Sequence, residues 1–215
     1  MKLNKRIAVF ALVVFLLLFV DQATKIWVKT HMSLYQTYEI TSWFKIVFVE
    51  NPGMAFGIDV IGKLFLSLFR IIAVAFGFYY IAKLLKTEVK IGYIVCVSLI
   101  LAGALGNVID GVFYGVIFNE SHQGYVSSFV PIGHGYADLL HGKVVDMLSF
   151  PLIDSHYPDW VPFWGGNRFV FFSPVFNIAD SAISVGIFIL LIFYRKTLSE
   201  SFHKPNSDEK RAEKI

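Results

Sequence analysis

A single cysteine, Cys96, is all that the 215 residues contain. No internal disulfide and no thiolate-held metal cluster can form from it. It lies inside an apolar run with no histidine near it in sequence, and reads as a small packing residue. Charge is scarce as well. Asp, Glu, Lys and Arg make up 16% of the chain, against 56% hydrophobic residues. A soluble domain averages only about 45–50% apolar residues, with far more charge. With a mean hydropathy of +0.62, the chain reads as an integral membrane protein of one domain. Its formal charge of +3 sits mainly at the ends and in one short loop. That is a topology signal rather than a nucleic-acid footprint, and no nucleic-acid partner is expected. A small-x-small cleavage site is also missing after the first apolar run, so that run reads as a retained span and not a secretory leader.

What the chain does have is long apolar stretches. Spans are expected at 7–28, 63–85, 91–110 and 176–194, each long enough to cross a bilayer as a helix. Outer segments 29–62 and 111–175 join them on one side. A short loop with Lys83, Lys86 and Lys90 joins them on the other. The fold class is all-α polytopic membrane protein, four transmembrane helices with a small β-structured outer-surface subdomain. Phe44–Val49 is rich in aromatic and β-branched residues and suits a strand. Asn51-Pro52-Gly53 suits a type II turn, followed by an apolar lip, Met54-Ala55-Phe56-Gly57. Trp160, Phe163, Trp164, Phe169, Phe171 and Phe172 suit a belt at the membrane interface. The tail at 199–215 is charged and reads as disordered. Lys2, Lys5, Arg6, the short basic loop, Arg195 and Lys196 place both termini in the cytoplasm.

Polar residues stand out against this background. Asp180 lies at the start of the fourth span, where a carboxylate is costly to desolvate and marks a functional site by default. Asn177, Asp180 and Ser184 are spaced i, i+3, i+7 and share one helix face. That face needs a protein interior or a wet cavity. A purely structural hydrogen-bond patch between helices is the alternative. Asp21 and Lys25 are i,i+4 and can pair near the surface, unless Lys25 simply snorkels. Gly103, Ala104 and Gly106 permit close helix approach. Asn107 and Asp110, at i,i+3, give a second polar face. Arg70 interrupts the second span and either snorkels or faces a polar interior. With the termini inside, Asp21, Asp110 and Asp180 fall at one depth near the outer face of the membrane.

Carboxylates gathered in a partly dry site form a coupled pair, because two like charges close together cannot both ionise cheaply. One then acts as base and the other as acid, the logic of aspartic proteolysis. Such chemistry needs no metal and no cofactor. Asp180 is the firm member; its partner is Asp110 or Asp146, with Asp138 weaker. His134, Asp138 and His141 have a spacing that could hold a metal on a helix. Gly133, Gly135 and Gly142 weigh against a helix there, so no metal site is expected.

Five stretches carry a resemblance. They are Asp21-Gln22-x-x-Lys25; Asn51-Pro52-Gly53-Met54-Ala55-Phe56-Gly57; Gly103-Ala104-Leu105-Gly106-Asn107-Val108-Ile109-Asp110; Val144-Val145-Asp146-Met147; and Phe176-Asn177-Ile178-Ala179-Asp180-Ser181. In that order they resemble bacterial lipoprotein signal peptidase, also called signal peptidase II. The resemblance implies a four-span aspartic endopeptidase of the inner membrane, with catalytic Asp146 and Asp180. It implies that Asn51, Gly53, Asn107 and Asn177 line the substrate site, and that Asp21, Lys25 and Asp110 support it. The implied substrate is a diacylglyceryl-modified prolipoprotein, cut just before the lipidated cysteine. The implied partners are that substrate and membrane lipid, with the enzyme a monomer. Two departures stand out. Gly111 follows Asp110 where the family usually has Arg, for which Arg70 is a candidate substitute. Residues 116–141 read as an insertion. The rival readings are a proton-coupled small membrane carrier with Asp180 as relay, and a non-enzymatic scaffold. Four spans without an internal repeat are few for alternating access.

Overall fold

The structure, a computed structural model, describes residues 3–53, 63–172 and 174–202. The proposed lip at 54–57 therefore lies outside the described residues. The first apolar run folds as one helix, α1 (Leu3–His31). Its most apolar window has a mean hydropathy of 2.4 yet is only 6% buried. Phe15 and Phe19 are 65% and 63% exposed. A helix this greasy and this bare needs hydrocarbon around it, and its backbone groups are all satisfied internally. The next two helices, α2 (Lys63–Leu84) and α3 (Ile91–Ile109), are also long and apolar enough to cross a membrane.

Here α3 departs from the expected span end at 110. It continues through a π-helical turn, Asp110–Tyr114, and a last α-turn, α4 (Gly115–Ile117). Apolar residues keep the helix going. Tyr114 is buried, its ring edge-on to Phe118 at 5.0 Å between centroids. The helix thus runs on to Ile117.

The fourth helix, α5 (Ile178–Phe193), is shorter than the expected 176–194 at both ends. Phe176 belongs to a strand. Asn177 stops the helix from starting earlier, because its side-chain oxygen accepts the Asp180 N–H as an N-cap. At the other end the backbone breaks at Tyr194, and α6 (Arg195–Phe202) turns off at 92°. Counting that bent pair as one span gives four crossings. The described part of the expected disordered tail, 199–202, is helical.

Five strands cap one end of the bundle, with a short sixth beside them. β1 (Thr37–Thr41), β2 (Phe44–Asn51), β3 (Val144–Ser149) and β6 (Val175–Phe176) form an antiparallel sheet in that order. The expected strand at Phe44–Val49 is the heart of β2. β2 pairs with β3 so that Val49 faces Asp146 and Asn51 faces Val144. β4 (Ile153–His156) and β5 (Arg168–Phe171) make a separate hairpin. Its tip carries Trp160, Phe163 and Trp164, the most exposed aromatic residues of the expected belt.

Two apolar cores result. One lies among the helices, around Tyr93, Ile94, Val97, Leu101 and Leu190. The other joins helices to sheet through Val28, Met32, Phe48, Tyr114, Phe118 and Val145. The α3–α5 crossing is tight because glycines face it. A Cβ on Gly103 would stand 2.4 Å from the Ala179 carbonyl oxygen, and one on Gly106 would stand 2.6 Å from Asp21 Oδ2. That closeness brings the polar ends of α1, α3 and α5 together at the sheet.

Candidate active site

The sheet end of the bundle is built around Lys25. Its side chain is fully buried, so it does not snorkel. An ammonium has three N–H donors, and here each has a partner. Lys25 Nζ lies 2.9 Å from Asp21 Oδ2, 2.8 Å from Asp110 Oδ2 and 2.9 Å from Asn107 Oδ1. Asp21 reaches onward to α5, where its Oδ1 accepts the Ala179 N–H at 3.0 Å. Asp110 reaches onward to β3, where its Oδ2 accepts the Val145 N–H at 3.3 Å. One buried cation thus ties α1, α3, α5 and β3.

Gln22 completes the knot, a residue for which residue-by-residue reasoning assigned no role. Its Nε2 donates to Asp110 Oδ1 at 2.9 Å and to the Gly106 carbonyl at 3.2 Å. Its Oε1 accepts from the buried Tyr114 hydroxyl at 3.2 Å. The signal was present in the sequence, since Gln22 stands inside the Asp21-x-x-x-Lys25 stretch. Tyr114 gave none, because an aromatic residue at a helix end is ordinary core.

Above this knot sit the two aspartates. Asp146, on β3, is 5% exposed. Its Oδ1 accepts from Asn177 Nδ2 at 2.7 Å, and the Asn51 side chain also bonds it. Asp180, in the first turn of α5, is half-buried. Its Oδ1 accepts from Asn107 Nδ2 at 2.8 Å. The two asparagines are themselves joined, Asn177 Nδ2 to Asn107 Oδ1 at 3.2 Å. Asn177 therefore holds Asp146 with its amide nitrogen and caps the Asp180 N–H with its oxygen, at 2.8 Å. Of the partners left open for Asp180, Asp146 shares this asparagine bridge, whereas Asp110 is taken up by Lys25. Asp138 is exposed. Ser184, one of the three residues on the expected polar face, lies further down α5.

Burial raises the Asp146 pKa, and the Asp180 carboxylate raises it further, to about 7. Gly53, nearby, holds a left-handed backbone, φ +93°. Its N–H donates to Asn51 Oδ1 at 2.8 Å. Gly111 stands beside α2, where its missing Cβ would lie 3.6 Å from Ser67 Oγ. Arg70, one turn on from Ser67, is half-buried. It lies within electrostatic reach of Asp180, Asp110 and Asp146. Of the two options for Arg70, it therefore takes the polar interior. His134, Asp138 and His141 do not converge, and no cluster of three metal-ligating side chains occurs among the described residues.

The chain matches known proteins over most of its length. Residues 13–195 match the model of the signal peptidase II family. The chain is 56% identical over 192 residues to a lipoprotein signal peptidase of Porphyromonas gingivalis, covering 89% of this chain and 84% of that protein. It is 34% identical over 214 residues to the lipoprotein signal peptidase of Amoebophilus asiaticus, covering 96% and 86%. A bacterial membrane enzyme solved by the in meso method at 2.3 Å shares the fold, with a TM-score of 0.59 and 23% identity over 94% of this chain and 96% of that one. A second, at 1.9 Å, gives 0.57 and 25% over 86% and 92%. A multi-pass bacterial membrane protein with these matches is a peptidase that removes signal peptides from prolipoproteins, and the chain belongs to the signal peptidase II family.

Proposed function

We propose that the protein is an aspartic endopeptidase that cuts diacylglyceryl-modified prolipoproteins immediately before the lipidated cysteine. Asp146 and Asp180 are the catalytic residues. The observation that carries this is Asn177, whose one side chain bonds Asp146 and caps the helix turn that holds Asp180. Asp180 is the base. It stands in the first turn of α5, where the helix N-terminus favours a carboxylate. It takes a proton from water as the water oxygen bonds to the scissile carbonyl carbon. Asp146 is the acid and gives its proton to the carbonyl oxygen. Collapse of the resulting diol breaks the C–N bond. Asp180 then protonates the leaving amine, and Asp146 regains its proton from a diol hydroxyl.

Asn51, Gly53, Asn107 and Asn177 surround these carboxyls and are the proposed substrate contacts. Asp21, Lys25 and Asp110 are support. Arg70 supplies the positive charge that Gly111 does not. The site faces the outer side of the inner membrane, with both termini cytoplasmic. The substrate's diacylglyceryl group stays in the lipid, and the enzyme works as a monomer. Among the described residues, the side chain that bonds the Asp180 carboxylate is Asn107, at the sheet end. That speaks against a carrier, whose relay must face both sides of the membrane.

The test is cleavage of a synthetic lipopeptide by the enzyme in proteoliposomes, with products read by mass spectrometry. We expect one cut, on the N-terminal side of the diacylglyceryl cysteine, and no turnover of the unlipidated peptide. Equal turnover of both, or a cut elsewhere, would overturn the assignment. The rate should also fall as pH rises through about 7, where Asp146 loses the proton it must donate. A rate that stays flat up to pH 9 would remove Asp146 as the acid.

A further inference from the structure

The insertion gives β3 its footing. α3, its π-turn and α4 leave carbonyls between Gly111 and Phe118 open to bonds from outside the helix. The insertion takes them one after another. Val130 N–H donates to the Ile117 carbonyl at 3.0 Å, Tyr136 N–H to Phe118 at 3.0 Å and Ala137 N–H to Gly115 at 3.0 Å. Leu140 N–H then donates to Val112 at 3.1 Å, and Gly142 N–H to Gly111 at 2.9 Å. The chain runs back along the helix end, and within two residues of Gly142 it becomes β3, with Asp146 as its third residue.

Two glycines make so close a path possible. A Cβ on Gly135 would stand 2.1 Å from the Gly115 carbonyl oxygen. One on Gly142 would stand 2.1 Å from the Asp110 carbonyl oxygen. Both clashes are with backbone, which cannot swing aside as a side chain can. Two further ties fix the path. Ser67 Oγ donates to the Leu140 carbonyl at 2.7 Å, joining it to α2. The Lys143 N–H donates to the Tyr136 hydroxyl at 2.7 Å. Leu140 holds a left-handed backbone, φ +71°, between its bond to Val112 and its bond from Ser67. A branched residue adopts that conformation only where its surroundings compel it.

We propose that residues 130–142 are a positioning strap. Bonded to the third helix, the strap sets the depth and register of β3, and so fixes where Asp146 stands relative to Asp180. Gly135, Gly142 and Ser67 are positioning residues that act through β3. The effect on catalysis rests on the aspartic reading given above; the placement of β3 does not.

The test uses the full-length enzyme in proteoliposomes. It compares Gly142→Ala and Ser67→Ala with Ile132→Ser, an insertion residue that is 87% exposed. Three quantities are measured: kcat against KM, the pH profile, and amide exchange of β3 by mass spectrometry. A displacement near 1 Å costs on the order of 100-fold in rate. Gly142→Ala should therefore lower kcat by roughly 10- to 100-fold with KM changed less than about threefold. The upper limb of its pH profile should move to lower pH, as Asp146 gains water and recedes from Asp180. The Val145 amide, held by Asp110 in the parent, should exchange faster. Ser67→Ala should move all three in the same direction by less, and it decides the matter if Gly142→Ala does not fold. Ile132→Ser should move none. Parent kcat, pH profile and β3 exchange in both Gly142→Ala and Ser67→Ala would overturn the strap. Faster β3 exchange with an unchanged pH profile would instead uphold the placement of β3 and overturn the aspartic reading. Exchange of the Val145 amide reports on the strap even if the aspartic chemistry is wrong, so the two failures are distinguishable.

Discussion

Asp146→Asn and Asp180→Asn should each lower kcat on the lipopeptide by about 10³-fold or more. A positioned acid or base contributes roughly 10²–10⁴, and each substitution removes one entirely. Binding should change little, because asparagine keeps the size of aspartate and can still accept the bond from Asn177 or Asn107. The Asp146 variant carries a second expectation, on stability. Folding raises the Asp146 pKa from 3.8 to about 7, so the folded state favours the protonated form. That contribution is complete below the unfolded value and is lost as pH rises through about 7. By pH 8 the parent bears a penalty on the order of 4 kcal/mol that asparagine does not carry. Asp146→Asn should then melt higher than the parent at pH 8, with the gap closing toward pH 4. A variant that is inactive yet more stable at alkaline pH is the mark of a group kept for chemistry. If the variant cleaves at the parent rate, or melts lower at pH 8, Asp146 is not the acid.

The parts of the protein visible in its sequence are those set by local physics. Spans follow from runs of apolar side chains, and β2 follows from Phe44–Val49. Asp180 could be singled out because a carboxylate inside an apolar run carries its cost wherever the chain goes. Choosing its partner was different. Spacing left Asp110 and Asp146 open, and only the likeness to a family favoured Asp146. In the structure Lys25 pairs with Asp110, while Asn177 bonds Asp146 and the Asp180 N–H. Those bonds join residues far apart in the chain, and no periodicity encodes them. The same holds for the start of α5. An unbroken apolar pattern from Phe176 hid the fact that Asn177 is a cap and Phe176 a strand residue. Lys25 could be placed in a pair with Asp21, but its complete burial needed α3 and α5 to close over it. In the insertion, the glycines read as evidence against a helix, which is correct. What they permit, close contact between backbones, depends on a partner strand of chain that the sequence does not name.

Lys25→Met should have the largest effect on stability of any single change at the site. It leaves Asp21 and Asp110, both at most 1% exposed, facing one another with no cation between them. Breaking a buried ion pair from one side typically costs about 3–5 kcal/mol, because the remaining charge is uncompensated. Here two charges remain. Heat denaturation of the detergent-solubilised enzyme should show a Tm drop of ten degrees or more, to within about a factor of two. Lys25→Arg should not rescue it. The guanidinium is a planar fork, and Gly106 already approaches Asp21 so closely that a Cβ there would lie at 2.6 Å. Removing charge should rescue it in part: Lys25→Met with Asp110→Asn should recover a substantial share of the lost Tm. It should not recover the rate. Lys25 accounts for one of the two donors to Asn107 Oδ1, and that bond keeps the amide turned so that Nδ2 points at Asp180. With the ammonium gone the amide is freer to rotate, and the base loses its alignment while the fold survives. A double variant that regains both Tm and kcat would reduce Lys25 to a structural counter-ion. One that regains Tm alone would show that the buried cation holds the catalytic geometry as well as the fold.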